Sequence, residues 1–422
     1  MLKKICLFII FSILVLGGWA QVRIKNLFTD NLVNPIAVST SQPRFSWQLE
    51  SEKRAVLQTA YEIMVMEKNK AVWKSGKVSS DQSVMVPYEG TALQSRKRYQ
   101  WKVRAWANQG KASAWSAPAS FEMAILDPME WKAKWIAPGY IEDSVIRPSP
   151  MFRKSFQTGK KILAARAYIT SHGMYQAEIN GKRVGEDYFT PGWTNYKKRL
   201  QYQVYDVTSL LQTGKNAIGV TLGSGWYRGT IGFTNSVNFY GKDIALLMEL
   251  RIQYADGSEE LIVSDESWKS TTGKIVYSEI YNGETIDARK EKTGWSLPGY
   301  NDDAWSGVEL KDFKKDLLIA TINEPIRKKE RFKPVRIFTT PAGEKVIDFG
   351  QNLVGWVEMK VKGKKGDSIL VSHAEVLDKK GNFYTVNLRS ADAQDRYILN
   401  GNGEEFFEPN FTWHGFRYIR LE

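Results

Sequence analysis

Two short stretches set aromatic rings beside glycines: Pro191-Gly192-Trp193-Thr194-Asn195-Tyr196 and Gly225-Trp226-Tyr227-Arg228. A sugar presents an apolar face of C–H groups and a rim of hydroxyls. Flat rings suit the first, and Asn and Arg donors suit the second. Trp193, Asn195, Tyr196, Trp226, Tyr227 and Arg228 are therefore the candidate carbohydrate-binding residues, on the condition that both loops lie at one end of a common domain. The competing use of the same rings is packing between domains.

Other chemistries find less support. The three histidines, His172, His373 and His414, are scattered and lack the H-E-x-x-H spacing of a zinc site, so no metal site is expected from them. No G-x-S-x-G elbow and no phosphate-binding P-loop occur. The glycine-rich run Gly223 to Gly229 is not a dinucleotide fingerprint, because an aromatic-rich strand region, not a helix, is expected after it. A glycosidase needs two carboxyls about 5 to 10 Å apart. The neighbouring acids Glu284 and Asp287, Asp302 and Asp303, and Glu404 and Glu405 lie near turns and read as solvated or capping groups, so no catalytic residue is assigned.

The elements that would position these loops are strands. Tyr61, Ile63 and Val65 alternate with Glu62, Met64 and Met66, and Tyr99, Trp101, Val103 and Ala105 alternate with Gln100, Lys102 and Arg104. The same period of two runs through 246–253 and 357–362, and it marks half-buried strands. Asn180-Gly181, Asp256-Gly257 and Gly366-Asp367 are hairpin signals. No apolar stretch with a 3.6-residue period is long enough for a core helix. One helical turn is expected within Asp206 to Leu211, capped by Asp206 or Thr208.

These patterns define an all-β chain of tandem β-sandwich domains. Residues 21–126 read as a fibronectin III-like (immunoglobulin-like) sandwich, with Trp47 early and Tyr99 as its corner tyrosine. Residues 127–324 form a second block with the candidate sugar loops, and residues 325–422 form a third. Linkers are expected near Asp127 to Pro150 and Leu317 to Pro334.

A family resemblance rests on an ordered series of motifs. Asn180-Gly181-Lys182-Arg183-Val184-Gly185, Thr190 to Tyr196, Tyr202 to Thr208, Gly223 to Gly229 and Tyr281-Asn282-Gly283-Glu284 resemble the N-terminal region of bacterial α-L-rhamnosidases. Asp348-Phe349-Gly350-Gln351-Asn352, His373-Ala374-Glu375 and Phe411 to Tyr418 resemble the family's following concanavalin-like sandwich. The resemblance implies that the second block is a galactose-binding-like jelly roll and the third is concanavalin-like. It also implies an inverting glycoside hydrolase whose acid and base reside in a six-hairpin α/α-barrel beyond the last strand. The chain given ends at Glu422 and contains none of the barrel's acidic motifs, so it is expected to be inactive alone. By resemblance it supplies accessory and substrate-recognition domains for removal of terminal α-L-rhamnose from plant glycans. A free-standing exported carbohydrate-binding or scaffold protein is the alternative. Some relatives hold calcium in the second block. Here the Gly223-Ser224-Gly225 loop offers a single serine hydroxyl, so no cofactor is expected. The expected partners are a rhamnose-containing polysaccharide or glycoside and a separately encoded catalytic domain.

Composition agrees with a globular exported protein. Of 422 residues, 43% are hydrophobic, 25% charged and 13% aromatic. The formal charge of +13 is +11 without Lys3 and Lys4, a balance suited to an acidic polysaccharide or to a dispersed solvated surface. No nucleic-acid motif accompanies the basic run Arg327 to Lys333, so no nucleic-acid partner is expected. Residues 1–20 have the form of a signal peptide: Lys3 and Lys4, an apolar run from Ile5 to Val15, then Gly18-Trp19-Ala20. The run is shorter than the ~20 residues that span a bilayer, so periplasmic or extracellular release with no remaining membrane attachment is expected. Cys6 is the only cysteine and lies within that run, which leaves no disulfide afterwards. N-terminal sequencing of exported material should find a chain beginning within one or two residues of Gln21. An intact Met1 terminus in the cytoplasm would contradict the assignment.

Overall fold

The computed structural model describes residues 22–108, 111–231 and 235–422; residues 1–20, expected to be a signal peptide, lie outside these. Among the described residues the helices are four short 3₁₀ turns and one α-helical turn, Gly225–Arg228. All other regular structure is strand. One 3₁₀ turn, Thr208–Leu210, falls where a helical turn is expected, and the Thr208 amide donates to Asp206 Oδ1 at 3.1 Å. The chain divides into two compact units, 1–123 and 124–422.

The first unit pairs a three-stranded sheet (Arg23–Thr29, Arg44–Glu50, Val86–Pro87) with a four-stranded one (Lys70–Lys74, Gln58–Glu67, Arg98–Ala107, Ala119–Glu122). The inward positions of the alternating runs meet between the sheets. Phe45 lies 4.5 Å from Trp101, centroid to centroid, and Trp47 lies 5.3 Å from Tyr61. Each indole buries a polar N–H that must be paired: Trp47 donates to Gln58 Oε1 at 3.0 Å and Trp101 to Thr29 Oγ1 at 3.1 Å. The Tyr99 hydroxyl accepts the Gln94 amide at 3.2 Å, the upstream backbone contact of a corner tyrosine.

In the second unit, residues of the second block build a sandwich. One sheet runs in the order Val308–Lys311, Trp135–Pro138, Ala245–Tyr254, Ile162–His172, Leu200–Asp206 and Leu318–Ala320; Glu259–Val263 also pairs with Ala245–Tyr254. The other runs Lys182–Arg183, Met174–Ile179, Gly214–Gly223, Pro150–Thr158 and Lys269–Thr272. Ile169, Leu250, Val220 and Trp268 belong to the apolar core of this sandwich. Both segments expected as linkers are partly strand. Trp135 and Ile136 are buried, and Leu318–Ala320 pairs in parallel with Leu200–Tyr202. The 246–253 run alternates less in burial than in sequence, since Leu247 and Glu249 are buried with their neighbours. Their face is covered too, and the Glu249 carboxylate accepts the amides of Lys132 and Ala133.

The third block contributes a seven-stranded sheet, but not all of it comes from residues after 325. The order is Ile275–Glu279, Gly283–Asp287, Gln394–Ile398, Ser368–Ala374, His414–Leu421, Lys345–Gly355 and Arg336–Thr339. The first two strands are a hairpin from the second block, and Gly283–Asp287 joins Gln394–Ile398 in parallel. Residues 127–324 and 325–422 therefore share a sheet and form one compact unit. Opposite one face of the sheet lies a two-stranded layer, Met359–Lys362 with Glu404–Phe407. Met359, Val361 and Phe407 pack there with Val371, Phe416 and Ile419.

The junction depends on Gly283. Its φ is +115°, and a Cβ on it would lie 1.9 Å from the Gln394 carbonyl oxygen. Gly257, at φ +83°, would meet nothing within 4 Å. Gly257→Ala should cost about 1–2 kcal/mol, the backbone penalty alone, whereas Gly283→Ala should cost at least ~2 kcal/mol more by separating the paired backbones. Chemical denaturation of both variants measures the difference. Equal losses would show that the junction tolerates a side chain.

Candidate functional site

The loop 190–199 and the helical turn Gly225–Arg228 come together, as the sugar-binding expectation requires. Trp193 stacks on Trp226 with centroids 5.8 Å apart and planes 4° apart. Trp193 is 50% exposed and Trp226 only 6%, so the outer indole is the ring available to a ligand. Trp226 Nε1 donates to the Tyr281 hydroxyl at 3.2 Å, and Tyr281 meets Trp413 edge-on at 6.3 Å. Tyr281 and Trp413 come from the donated hairpin and the third block. Sequence reading missed them because nothing local links positions more than fifty residues away.

The remaining expected residues divide differently. Asn195 is exposed, and its side chain accepts the Lys197 amide at 3.2 Å. Tyr196, Tyr227 and Arg228 are buried and do not join Trp193 at the surface. The Tyr196 hydroxyl donates to the Gly192 carbonyl at 2.7 Å, and its ring meets Tyr227 and Tyr240 edge-on. Tyr227 lies flat on His172 at 4.5 Å, and His172 lies on Trp135 at the same distance. Burial lowers the His172 pKa to about 4, so it stacks as a neutral ring. Buried Arg228 pairs with Glu142 at 2.8 Å and donates to Ser224 Oγ at 3.1 Å. A cation at Ser224 would sit against this guanidinium, which makes the loop a poor calcium site.

The glycines here serve close packing. A Cβ on Gly223 would lie 2.4 Å from the Phe411 ring, and one on Gly225, at φ +53°, 2.6 Å from Met174. The single helical turn Gly225–Arg228 lies within the run, and of the region expected as strand after it the described residues form only the isolated bridge Ile231–Ser236 before the strand Ala245–Tyr254.

A second constellation lies where the hairpin enters the third sheet. Glu284, His373 and Asp395 are fully buried and His414 nearly so. Glu284 accepts the amides of Asn410 and Phe411 at 2.9 and 3.0 Å. Asp395 Oδ1 accepts the Glu284 amide at 3.0 Å and faces His414 Nε2 at 3.4 Å. His373 Nδ1 donates to the Ala393 carbonyl at 2.8 Å, and its Nε2 faces Asp395 Oδ2 at 3.9 Å. Burial raises the Glu284 pKa to about 8, and the Asp395 charge adds to this against the lowering effect of the amide donors. Burial also lowers His373 to about 3, helped by His414. For Asp395 burial opposes ionisation, but His414, His373 and the Glu284 amide together outweigh it and hold the carboxyl below its usual range. These acids are neither solvated nor open to a sugar. Asp287, in contrast, caps as expected, accepting the Arg289 amide at 3.1 Å.

His373, Asp395 and His414 place ligand-type atoms within 4.8 Å of one another. The two imidazoles are stacked, with centroids 4.1 Å apart and planes 29° apart. Rings so arranged cannot both aim an in-plane lone pair at one zinc ion about 2.0–2.1 Å away. The cluster is thus a structural seam joining hairpin to sheet. The motifs at the other side of the third block are joined similarly: Arg417 grips Asp348 through Nε and Nη2 at 2.8 and 3.1 Å, holding the carboxyl near pKa 2.

Tandem β-sandwiches with one half-exposed indole, Trp193, at the end of the second define an all-β, multi-sandwich class of protein. Comparison with known proteins gives its family. Residues 24–127 match the Rha78A-like, N-terminal immunoglobulin domain, residues 160–330 the alpha-L-rhamnosidase N-terminal domain, and residues 338–422 the bacterial alpha-L-rhamnosidase concanavalin-like domain. The chain belongs to the bacterial α-L-rhamnosidase family through these three consecutive domains. It is 36% identical to an alpha-L-rhamnosidase of Formosa agariphila over 407 residues, which is 93% of this chain and 44% of that one. The crystal structure of the Aspergillus terreus rhamnosidase superposes with a TM-score of 0.89 at 38% identity, covering 95% of this chain and 47% of that chain. The Streptomyces avermitilis enzyme, solved with L-rhamnose, gives a TM-score of 0.89 at 29% identity, with 95% and 56% covered. The chain thus spans about half the length of the relatives it matches.

Buried Glu284 makes a signed prediction. A carboxyl raised from 4.5 to about 8 contributes stability that is complete below the unfolded value and is lost as pH rises through the folded one. His373 has the opposite sign, its contribution being lost as pH falls from about 6.5 toward 3. Urea denaturation between pH 6.5 and 8.5 should show wild-type stability declining by up to about 1.4 kcal/mol per pH unit from Glu284. Glu284→Gln should be less stable at pH 6.5 but flatter across this range. Parallel profiles would place the titration elsewhere.

Proposed function

We propose that this chain is the recognition portion of a rhamnosidase assembly that removes terminal α-L-rhamnose from plant glycans. The observation that carries this reading is the half-exposed Trp193, seated on Trp226 within a domain of the rhamnosidase N-terminal type. A stacked indole offers a flat apolar face to a sugar ring, and Asn195 beside it offers amide groups to hydroxyls. The hydrolytic step belongs, in this proposal, to a catalytic domain encoded separately or continuing from this one. The natural ligand is a rhamnose-containing polysaccharide or glycoside, met in the periplasm or outside the cell after removal of the signal segment. The charge of +11 that remains without Lys3 and Lys4 supports attraction to rhamnose-containing pectin, which also carries acidic sugars, and salt should weaken that part.

A single sugar held on one open ring should bind at roughly millimolar affinity, about 4 kcal/mol. Calorimetry with rhamnose-rich pectin should show binding by the wild type and at least a several-fold loss in Trp193→Ala. This side chain is half exposed, so the fold should survive; circular dichroism checks that. Trp226→Ala is a poorer test, since truncating a buried indole costs about 3–5 kcal/mol of stability. Equal binding by wild type and folded Trp193→Ala would remove Trp193 from the site.

A further inference from the structure

A small cavity of about 90 Å³ lies on the outer face of the second sandwich's five-stranded sheet. Gln176 of Met174–Ile179 and Thr221 of Gly214–Gly223 reach it from that sheet, since their neighbours Tyr175, Ala177, Val220 and Leu222 fill the core on the other face. The start of the donated hairpin adds Lys274 and Ile275, and the third block adds Asn410 and Phe411. The amides of these last two residues are held by Glu284, so the buried seam shapes the cavity wall. The volume is room for about six to nine waters at about 10–15 Å³ each. It is well below the several hundred Å³ of a site for a drug-sized ligand. Such a space fits one released sugar ring and excludes a chain.

The lining has both parts that a sugar needs. Met151, Ile275, Trp295 and Phe411 supply apolar surface. Trp295 is fixed in place: it stacks on Trp305 with centroids 6.2 Å apart, and a Cβ on Gly219 would lie 2.3 Å from its ring. Asn410 Nδ2 donates to Glu284 Oε1 at 3.2 Å, which leaves Asn410 Oδ1 as an acceptor. The Ser296 hydroxyl donates to Glu178 Oε2 at 2.5 Å, which leaves Oε1. Gln176 and Thr221 add donors and acceptors. Ser149 also lines the cavity, and among the described residues its buried hydroxyl has no partner. Buried hydroxyls are as a rule paired, so this one calls for a polar neighbour. The charges of the lining balance, Lys274 and Lys292 against Glu178 and Glu291, and Lys274 pairs with Glu291 at 2.5 Å. A balanced lining favours a neutral ligand, because a carboxylate would lose its water without a surplus cation to meet it.

We propose that this cavity binds a single neutral monosaccharide in its released form, a 6-deoxyhexose of the L-rhamnose type. The apolar part of the lining suits the ring carbon substituent that lacks a hydroxyl. Only the choice of sugar rests on the rhamnosidase reading. The test is calorimetry on the full chain carrying Trp193→Ala, which removes the outer indole from the measurement. L-rhamnose should still bind. Adding Gln176→Leu or Thr221→Val to that chain should weaken its binding at least fivefold, with circular dichroism checking the fold. Both side chains are only half-buried on the outer face of their sheet, so the fold should survive. D-galacturonate should bind the Trp193→Ala chain at least tenfold more weakly than L-rhamnose. No L-rhamnose binding by the folded Trp193→Ala chain would show that the cavity holds water alone and would overturn the proposal. So would binding that neither cavity substitution weakens. D-galacturonate binding as tightly as L-rhamnose would overturn the assignment of a neutral ligand. Pectin, a chain, reports on Trp193 in the wild type and is excluded from the cavity, so either idea can fail while the other stands.

Discussion

A carboxyl without water around it decides how the second and third sandwiches are joined. Glu284 enters the third sheet on a hairpin that begins in the second block, and its oxygens take the amides of Asn410 and Phe411. Its own amide is taken by Asp395, which also faces both buried histidines. Two acids in one dry site cannot both ionise cheaply, so their pKa values separate. Glu284 moves up and Asp395 moves down. A neutral acid, one carboxylate and neutral His373 are far less costly to bury than four charges. Gly283 allows the close approach that this arrangement needs. The parallel pairing of Gly283–Asp287 with Gln394–Ile398 follows, and with it the compactness of residues 124–422.

The strands and the all-β class were legible because alternation is a local property. Ile63, Val65, Trp101 and Val103 face the core where a period of two puts them, and Tyr99 makes its corner contact. The donated hairpin was not legible. Residues 275–287 have ordinary strand composition, and nothing in a period of two records which sheet a strand joins. The buried acid cluster was hidden for the same reason. Glu284 beside Asn282-Gly283 looks like a turn acid, and it becomes a buried clamp only because Asn410 and Phe411 arrive from far along the chain. The histidines offered no metal spacing, yet two of them stack, since neighbouring strands bring positions 373 and 414 together.

The candidate sugar site was half legible, and the division has a physical cause. A ring beside a glycine in a loop can turn outward to a ligand or inward to cover a sandwich end, and the local sequence is the same in both cases. Tyr196 and Tyr227 turn inward because His172 and Tyr240 offer ring faces and edges there, and Arg228 follows because Glu142 supplies the opposite charge. Trp193 has an indole on one side only, so its other face stays open.

The two constellations are mechanically linked. Trp193 rests on Trp226, and Trp226 donates to Tyr281, which sits at the hairpin tip two residues before Gly283. The Tyr281 carbonyl accepts the Ala393 amide at 3.2 Å, and the Ala393 carbonyl in turn accepts from His373. A ligand on the outer indole therefore leans on a column whose far end is fixed by the buried Glu284 and Asp395 seam. Such a column places the ring without requiring the loop itself to be rigid. The backing of this column comes from strand donation between domains, and Trp193 can stay half exposed because Trp226 behind it is buried.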